Sequence, residues 1–569
     1  MSKTKKFSWK KFFKRLGIVL LVLLGILLLL FIIFHKLIFD AVYLLGKDME
    51  YTDPTTLEYP EMHLTTEQML ADYEYFYEHL YTDSLVREQA EKYLDLDYAA
   101  LYDTYKERIS NCKDDYEFFC LLSSLQAKLP GSHNYLQPPT DDVISAEIFP
   151  LSYELNDQDV IGANYSYFIQ FEDRMFSYDQ KYVYFNYAGG DYYAHYDSFD
   201  ESELIPGIKN GRLLTLNGVD IDEAIGELDT LHQYSYDAET DKMFVKELIF
   251  NDGYGEKYVA EIELPDGRIV TVDLYNSCEN VVATYFKNKL YPDHYSKPEE
   301  SDEDDEDTEE EPAPASDSYK IEKIPERDIV VITIFTCDAY RIDEVYEEIT
   351  SALNEVDPKA VIIDNRNNRG GNCDFVTRGV CPALFDHDFE FISYARTPVN
   401  DMTDLLYGNS FYSTFFEEGL KKEADYYRYC EDFSFTGKAD KSYKIYVLNG
   451  HSTFSSGDIL AGIFSMQPEV TTIGSNSGGE GFSGHPMNFY LPESKFIFTM
   501  EFSVSESFPD DNYLGITPDV YVSNTWENWL DRVALTEDPD FALDITSFEG
   551  RLMWDKVMIE TVNMIENEP

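Results

Sequence analysis

The stretch YVLNGHSTFSSGDILAGIF, residues 446–464, holds the corner on which the reading of this chain turns. An apolar run from Tyr446 to Leu448 breaks at Asn449-Gly450, crosses small and hydroxyl-bearing residues, and resumes as a helical pattern at Asp458-Ile459-Leu460. A serine at such a strand-to-helix corner projects its hydroxyl, and the N–H after it lies at a helix N-terminus, where negative charge is stabilised. Spacing leaves two readings open. Either Ser455 is a nucleophile, or Ser455, Ser456 and Asp458 only cap the helix by accepting from its first N–H groups.

The segments around this corner set the architecture. DIVVITIF, RIDEVYEEITSALNEV, KAVIIDNR and YKIYVLNG read as strand, helix, strand and strand, the alternation of a buried parallel sheet, which predicts an α/β core over residues 319–535. In such sheets functional residues gather where strands end. The strand KAVIID runs into NRNNRGGN, and the paired Gly370-Gly371 allow backbone N–H groups to approach a ligand closely, as an oxyanion hole requires.

Before the core, three apolar-periodic runs (TTEQMLADYEYFYEHLY, DYAALYDTYKERI and DDYEFFCLLSSLQAKL) predict a helical region over residues 61–140, ended by Pro130-Gly131. Residues 141–280 break into short strand-like segments, of which YVAEIELPDGRIVTVDLY is a hairpin about a Pro-Asp-Gly turn. IKNGRLLTLNGVDIDEAIGEL resembles the strand, Asn-Gly turn and helix of PDZ modules, and equally fits any small β domain with a tight turn. Residues 297–318, dense in carboxylates and without an apolar anchor, read as a disordered acidic linker, and 536–569 as a C-terminal helical segment.

The first 40 residues differ from all of this. Seven Lys and Arg precede Gly17, and an uncharged apolar run continues to Phe34. The pattern predicts one transmembrane signal anchor over 1–40, with the basic tail cytoplasmic and the rest of the chain extracytoplasmic at a cell membrane. The formal charge of −62 disfavours nucleic acid and other polyanions as partners. Seven scattered cysteines form neither a disulfide framework nor a zinc site, and a Cys373–Cys381 bridge is the less favoured reading. With no cofactor or metal motif, the chemistry falls to side chains alone.

The pair VIIDNRNNRGGN and NGHSTFSSGDILAGIF, followed by TTIGSNSGGEGFSGH, resembles the core signatures of the C-terminal processing (tail-specific) serine peptidases. The resemblance implies a Clp/crotonase-like β-α catalytic core, preceded by a helical region and a PDZ-like insert, that cleaves peptide bonds at or near substrate C-termini. It implies Ser455 as nucleophile, with the N–H groups of Ser456 and of Gly370 or Gly371 holding the oxyanion. Family members with a Ser-Lys dyad carry lysine where this chain has Glu480, which argues against that mechanism. LSSLQAKLPGSHNYL instead resembles the Ser-His segment of tricorn-type relatives and implies His133 as base with Ser132 assisting. The orienting acid falls on Asp511 in PDDNYLGITPDV, with Asp510 and Glu506 in reserve, because Asn512 stands where a glutamate is usual. A lone histidine after a helix is also commonly a cap or surface residue, and His485 and His451 are rival bases. Glu480 and Asn512 together motivate a competing reading, an inactive relative that binds peptide tails or cell-envelope polymers.

Overall fold

The computed structural model describes residues 63–567 apart from 95, 130, 132, 137–159, 196–204, 232–233, 291–317, 408–419, 483–485, 508–513, 539–540 and scattered positions within 161–179 and 401–406. The anchor over 1–40 and the acidic linker over 297–318, except its last residue, the buried Ser318, therefore lie outside the described residues. Among the described residues no helix is long and apolar enough to cross a membrane.

The fold is mixed α/β. Its centre is a six-stranded sheet in the order Tyr319–Ile324, Ile329–Ile334, Ala360–Asp364, Lys444–Asn449, Val470–Gly474, Val520–Tyr521. The first pair is antiparallel and every later neighbour is parallel. Strands buried on both faces need continuous apolar sequence, and Ala360–Asp364 and Lys444–Asn449 supply it. The helix Ile342–Val356 covers one face through Val345, Ile349, Ala352 and Leu353, a helical stripe. The other face is closed by Phe548, Val557, Met558, Val562 and Ile565 from the C-terminal helices.

Because Ala360–Asp364 and Lys444–Asn449 are parallel neighbours, Asp364 pairs in register with Leu448 and both chains leave the sheet at the same end. The departure of the first is fixed by ions. Arg366 donates to both oxygens of Asp364 (2.8 and 2.6 Å) and of Asp555 (2.9 and 2.7 Å), while Arg551 reaches Asp364 at 2.7 Å and Glu322 at 3.0 Å. Burial works to raise the Asp364 carboxyl, yet the two guanidiniums outweigh it and hold it down at about 2. Its stabilising contribution is thus present above the usual carboxylate range and is lost only as pH falls through about 2.

The helices Thr66–Glu78, Leu85–Leu94, Tyr98–Ser110 and Asp115–Ala127 pack Tyr73, Phe76, Phe118 and Phe119 against Phe496, Phe498 and Phe502. The strand Tyr135–Leu136 follows them and pairs antiparallel with Ile497–Met500, placing Tyr135 opposite Thr499 and Leu136 opposite Phe498. Seven strands between Tyr182 and Asn276 form a separate antiparallel sheet, closed on itself by pairing of Asp191–His195 with Arg212–Leu216. It includes the expected hairpin, in which Ile269 lies opposite Glu263. None of the seven cysteines, Cys373 and Cys381 included, forms a disulfide.

Replacing Arg366 by Met strands the buried carboxylate of Asp555 and leaves that of Asp364 with Arg551 alone. The expected loss is about 3–5 kcal/mol of stability, measurable by urea unfolding followed through core fluorescence.

Candidate active site

Two loops meet at the end of the central strands. After Asp364 the chain folds through Asn365, Asn368 and Gly370-Gly371; after Asn449 it passes Thr453 and Phe454 to Ser455. Buried amides join them. The Asn365 Nδ2 donates to the Gly457 carbonyl (2.9 Å), Asn368 Nδ2 donates to Asn365 Oδ1 (2.9 Å), and the Phe454 N–H donates to the Asn368 carbonyl (3.0 Å). Thr453 Oγ1 adds a bond to the Asn365 carbonyl at 2.7 Å.

Ser455 stands at φ 53°, ψ −123°, a conformation that costs a non-glycine residue strain, at the start of the helix Ser456–Ser465. Its side chain makes no capping bond, and its hydroxyl has no hydrogen-bond partner among the described residues. The helix begins two residues earlier than the expected Asp458. That aspartate is wholly buried and does other work: it accepts from the Ser477 hydroxyl and from the Gly481 N–H (3.0 Å), and burial pushes its carboxyl up to about 6.

Gly370 lies directly against the serine. A Cβ at Gly370 would stand 2.6 Å from Ser455 Cβ and 2.9 Å from the Phe454 carbonyl, and its φ is +94°. Ser456 pins the glycine loop by donating its hydroxyl to the Gly371 carbonyl at 2.7 Å. Of the two glycine N–H groups, that of Gly370 is taken by Asn368 Oδ1 (3.0 Å), while that of Gly371 has no partner among the described residues. The Ser456 N–H is the first of the helix and so also lacks an intrahelical acceptor.

His133 reaches this neighbourhood through the segment 479–481. The Ser455 N–H donates to the Gly479 carbonyl at 3.1 Å, and Glu480 receives the His133 N–H on both carboxylate oxygens at 3.2 Å. The His133 Nδ1 faces Glu480 Oε2 at 3.6 Å and Glu501 Oε2 at 3.5 Å. Glu501 follows the strand Ile497–Met500, and extending the pairing of Tyr135 with Thr499 carries His133 alongside it. The Glu501 N–H also donates to Asn134 Oδ1 at 2.8 Å. Glu501 is 1% exposed, and burial raises its carboxyl. For His133, burial acts to lower the imidazole, but Glu480 and Glu501 together overcome this and hold it up at about 9.

The other sequence candidates are distributed as follows. Ser132, Asp510, Asp511, Asn512 and His485 lie outside the described residues. Glu506 is committed to Arg428 at 2.6 Å. His451 packs edge-on against Phe244 of the insert, with ring centroids 4.7 Å apart, and burial pushes it down to about 4. The carboxylate that sequence reasoning overlooked is Glu501; its signal was the strand FIFTM ending in a glutamate, which has meaning only once its partner HNYL is known. Among the described residues no group of three or more His, Cys, Asp or Glu side chains is placed to hold a metal ion.

The family model of peptidase family S41 matches residues 328–522. Among solved structures, mature CPAF complexed with lactacystin aligns at 12% identity over 88% of this chain and 99% of its own, with a TM-score of 0.46. The photosystem II D1 C-terminal processing protease aligns at 11% identity over 81% and 94%, TM-score 0.34. A putative S41 protease from Bacteroides fragilis aligns at 12% identity over 68% and 82%, TM-score 0.31. Among curated proteins, none matches.

A Gly370→Ala substitution drives a methyl into Ser455 and displaces it. Reactivity of Ser455 with a fluorophosphonate is expected to fall roughly a hundredfold, while circular dichroism stays native.

Proposed function

From the premise that residues 328–522 form the core of a peptidase family S41 enzyme, a serine-type peptidase, we propose that this chain hydrolyses peptide bonds at or near the C-termini of peptide and protein substrates, with Ser455 as nucleophile, His133 as general base and Glu501 as its orienting acid. The observation that carries this reading is Ser455 itself: a strained residue at a helix start whose hydroxyl neither caps the helix nor bonds elsewhere among the described residues. Strain without a structural return is the signature of a functional position.

In the proposed reaction Ser455 Oγ attacks the scissile carbonyl as neutral His133 takes its proton. The Ser456 and Gly371 N–H groups donate to the oxyanion, and the imidazolium then protonates the leaving amine. Water repeats the sequence on the acyl-enzyme, with His133 again as base. Glu501 remains ionised throughout and stabilises the imidazolium that forms beside it. Ser132 is kept as an assisting hydroxyl. Asp511, chosen from the sequence pattern, gives way in this reading to Glu501, which lies 3.5 Å from the imidazole.

The sheet of residues 319–535, the closed β sheet within 141–280 and the helices of 61–140 support a Clp/crotonase-like core with a PDZ-like insert and an N-terminal helical region. The insert touches the nucleophile loop, where Lys246 Nζ donates to Ser452 Oγ at 2.6 Å, a position suited to presenting a substrate tail. The basic-then-apolar order of residues 1–34 supports a signal anchor that leaves the peptidase outside the cytoplasm.

Ser455→Ala and His133→Ala are each expected to lower hydrolysis of unstructured peptides at least about 10³-fold, and Glu501→Gln by about 10²-fold or more. Unchanged turnover in Ser455→Ala or His133→Ala contradicts the assignment. The full chain is expected in the membrane fraction and a version lacking residues 1–40 in the soluble one; identical partitioning contradicts anchoring.

A further inference from the structure

We propose that Glu480 is a positioning residue for His133, which holds the main chain of the base and sets a carboxylate against its ring. The inference rests on the reading of His133 as base.

Three observations converge on this carboxylate. First, Glu480 holds φ +68° between Gly479 and Gly481, a left-handed conformation, and its carboxylate lies against Gly131 and the main chain of His133. Second, both of its oxygens accept the His133 N–H, so the acid grips the main chain of the base as well as facing its ring. Third, Gly131 leaves room for it: a Cβ there would stand 1.9 Å from Glu480 Oε1, and Gly131 has φ +115°. Gly131 and the His133 main chain are therefore both set against this one carboxylate.

The same short segment serves the nucleophile. Gly479, one residue earlier, accepts the Ser455 N–H, and a Cβ at Gly481, one residue later, would lie 2.9 Å from the Ser455 carbonyl. Glu480 thus couples the position of the imidazole to that of the hydroxyl through adjacent peptide units. A base brought in from a distant helical region needs such a tie, since a displacement of about 1 Å between reacting groups costs on the order of a hundredfold in rate.

The arrangement also sets the charge state of the base. Among the described residues the charged groups facing His133 are Glu480, from the loop after Val470–Gly474, and Glu501, from the end of Ile497–Met500; Asp458 accepts from the N–H of Gly481, the residue after Glu480. Two carboxylates against one ring favour imidazolium, whose pKa stands at about 9. A general base must be neutral to accept a proton, so acylation is expected to rise with pH through that value.

The test is the pH dependence of fluorophosphonate acylation of the full chain. Native enzyme is expected to show an acid limb near pH 9. Glu480→Gln keeps an acceptor for the His133 N–H but removes the charge; its limb is expected to move down by about one unit, so that at neutral pH it acylates about tenfold faster than native. Glu480→Ala removes both and is expected to acylate at least about tenfold more slowly than Glu480→Gln across the range. A native limb retained in Glu480→Gln, or equal losses in both variants, overturns the proposal. Should Glu480→Ala fail to fold, the limb of Glu480→Gln decides alone. His133→Ala separates the two levels: if it acylates like native, the base assignment fails, whereas if it is inert and Glu480→Gln is indistinguishable from native, only the role of Glu480 fails.

Discussion

The contact on which the site depends is the one between Gly370 and Ser455, where a single missing Cβ lets two strand-end loops touch. Parallel neighbours deliver their chains to the same end of a sheet, so the loops after Asp364 and Asn449 must share a space that side chains would overfill. Gly457 meets the same constraint, since a Cβ there would lie 2.7 Å from the Asn368 carbonyl. Close approach alone does not fix orientation. That is supplied by the buried amides of Asn365 and Asn368 and, beneath them, by Arg366 clamped between Asp364 and Asp555. The strain at Ser455 is thereby held by a surrounding structure that leaves it no relaxed alternative.

Electrostatics around the serine run against the simplest expectation. A chain at −62 buries three of its carboxylates around the candidate site: Asp458, Glu480 and Glu501. Each has an assigned partner. Asp458 ties Ser477 and Gly481 to the helix start, Glu501 meets the ring of His133, and Glu480 meets its main chain. Such groups cost desolvation and contribute mainly by fixing geometry before the substrate arrives. In the proposed reaction the N–H groups of Ser456 and Gly371 supply the complementary positive end toward which an oxyanion turns.

Much of this was legible in the residue order because it is local. The β-α alternation of the core, the Pro-Asp-Gly hairpin and the serine corner each rest on periodicity or turn chemistry within a few residues. The discrepancies share a different origin. Glu501 was invisible because its meaning depends on Tyr135–Leu136 pairing with Ile497–Met500, a register no local pattern announces. The choice between the Gly370 and Gly371 N–H groups turned on the side chain of Asn368 folding back to take the first. Asp458 looked like a helix start or cap because a carboxylate in a first turn usually is one; its burial against Ser477 follows from how the 475–481 loop crosses over it.

The account stands on Ser455 as the atom that becomes acylated. Reaction of the full chain with a fluorophosphonate, followed by proteolysis and mass-spectrometric mapping, reads that atom directly. The account predicts a single stoichiometric adduct on Ser455; an adduct on Ser456 or elsewhere, or none at alkaline pH where His133 is neutral, would contradict it.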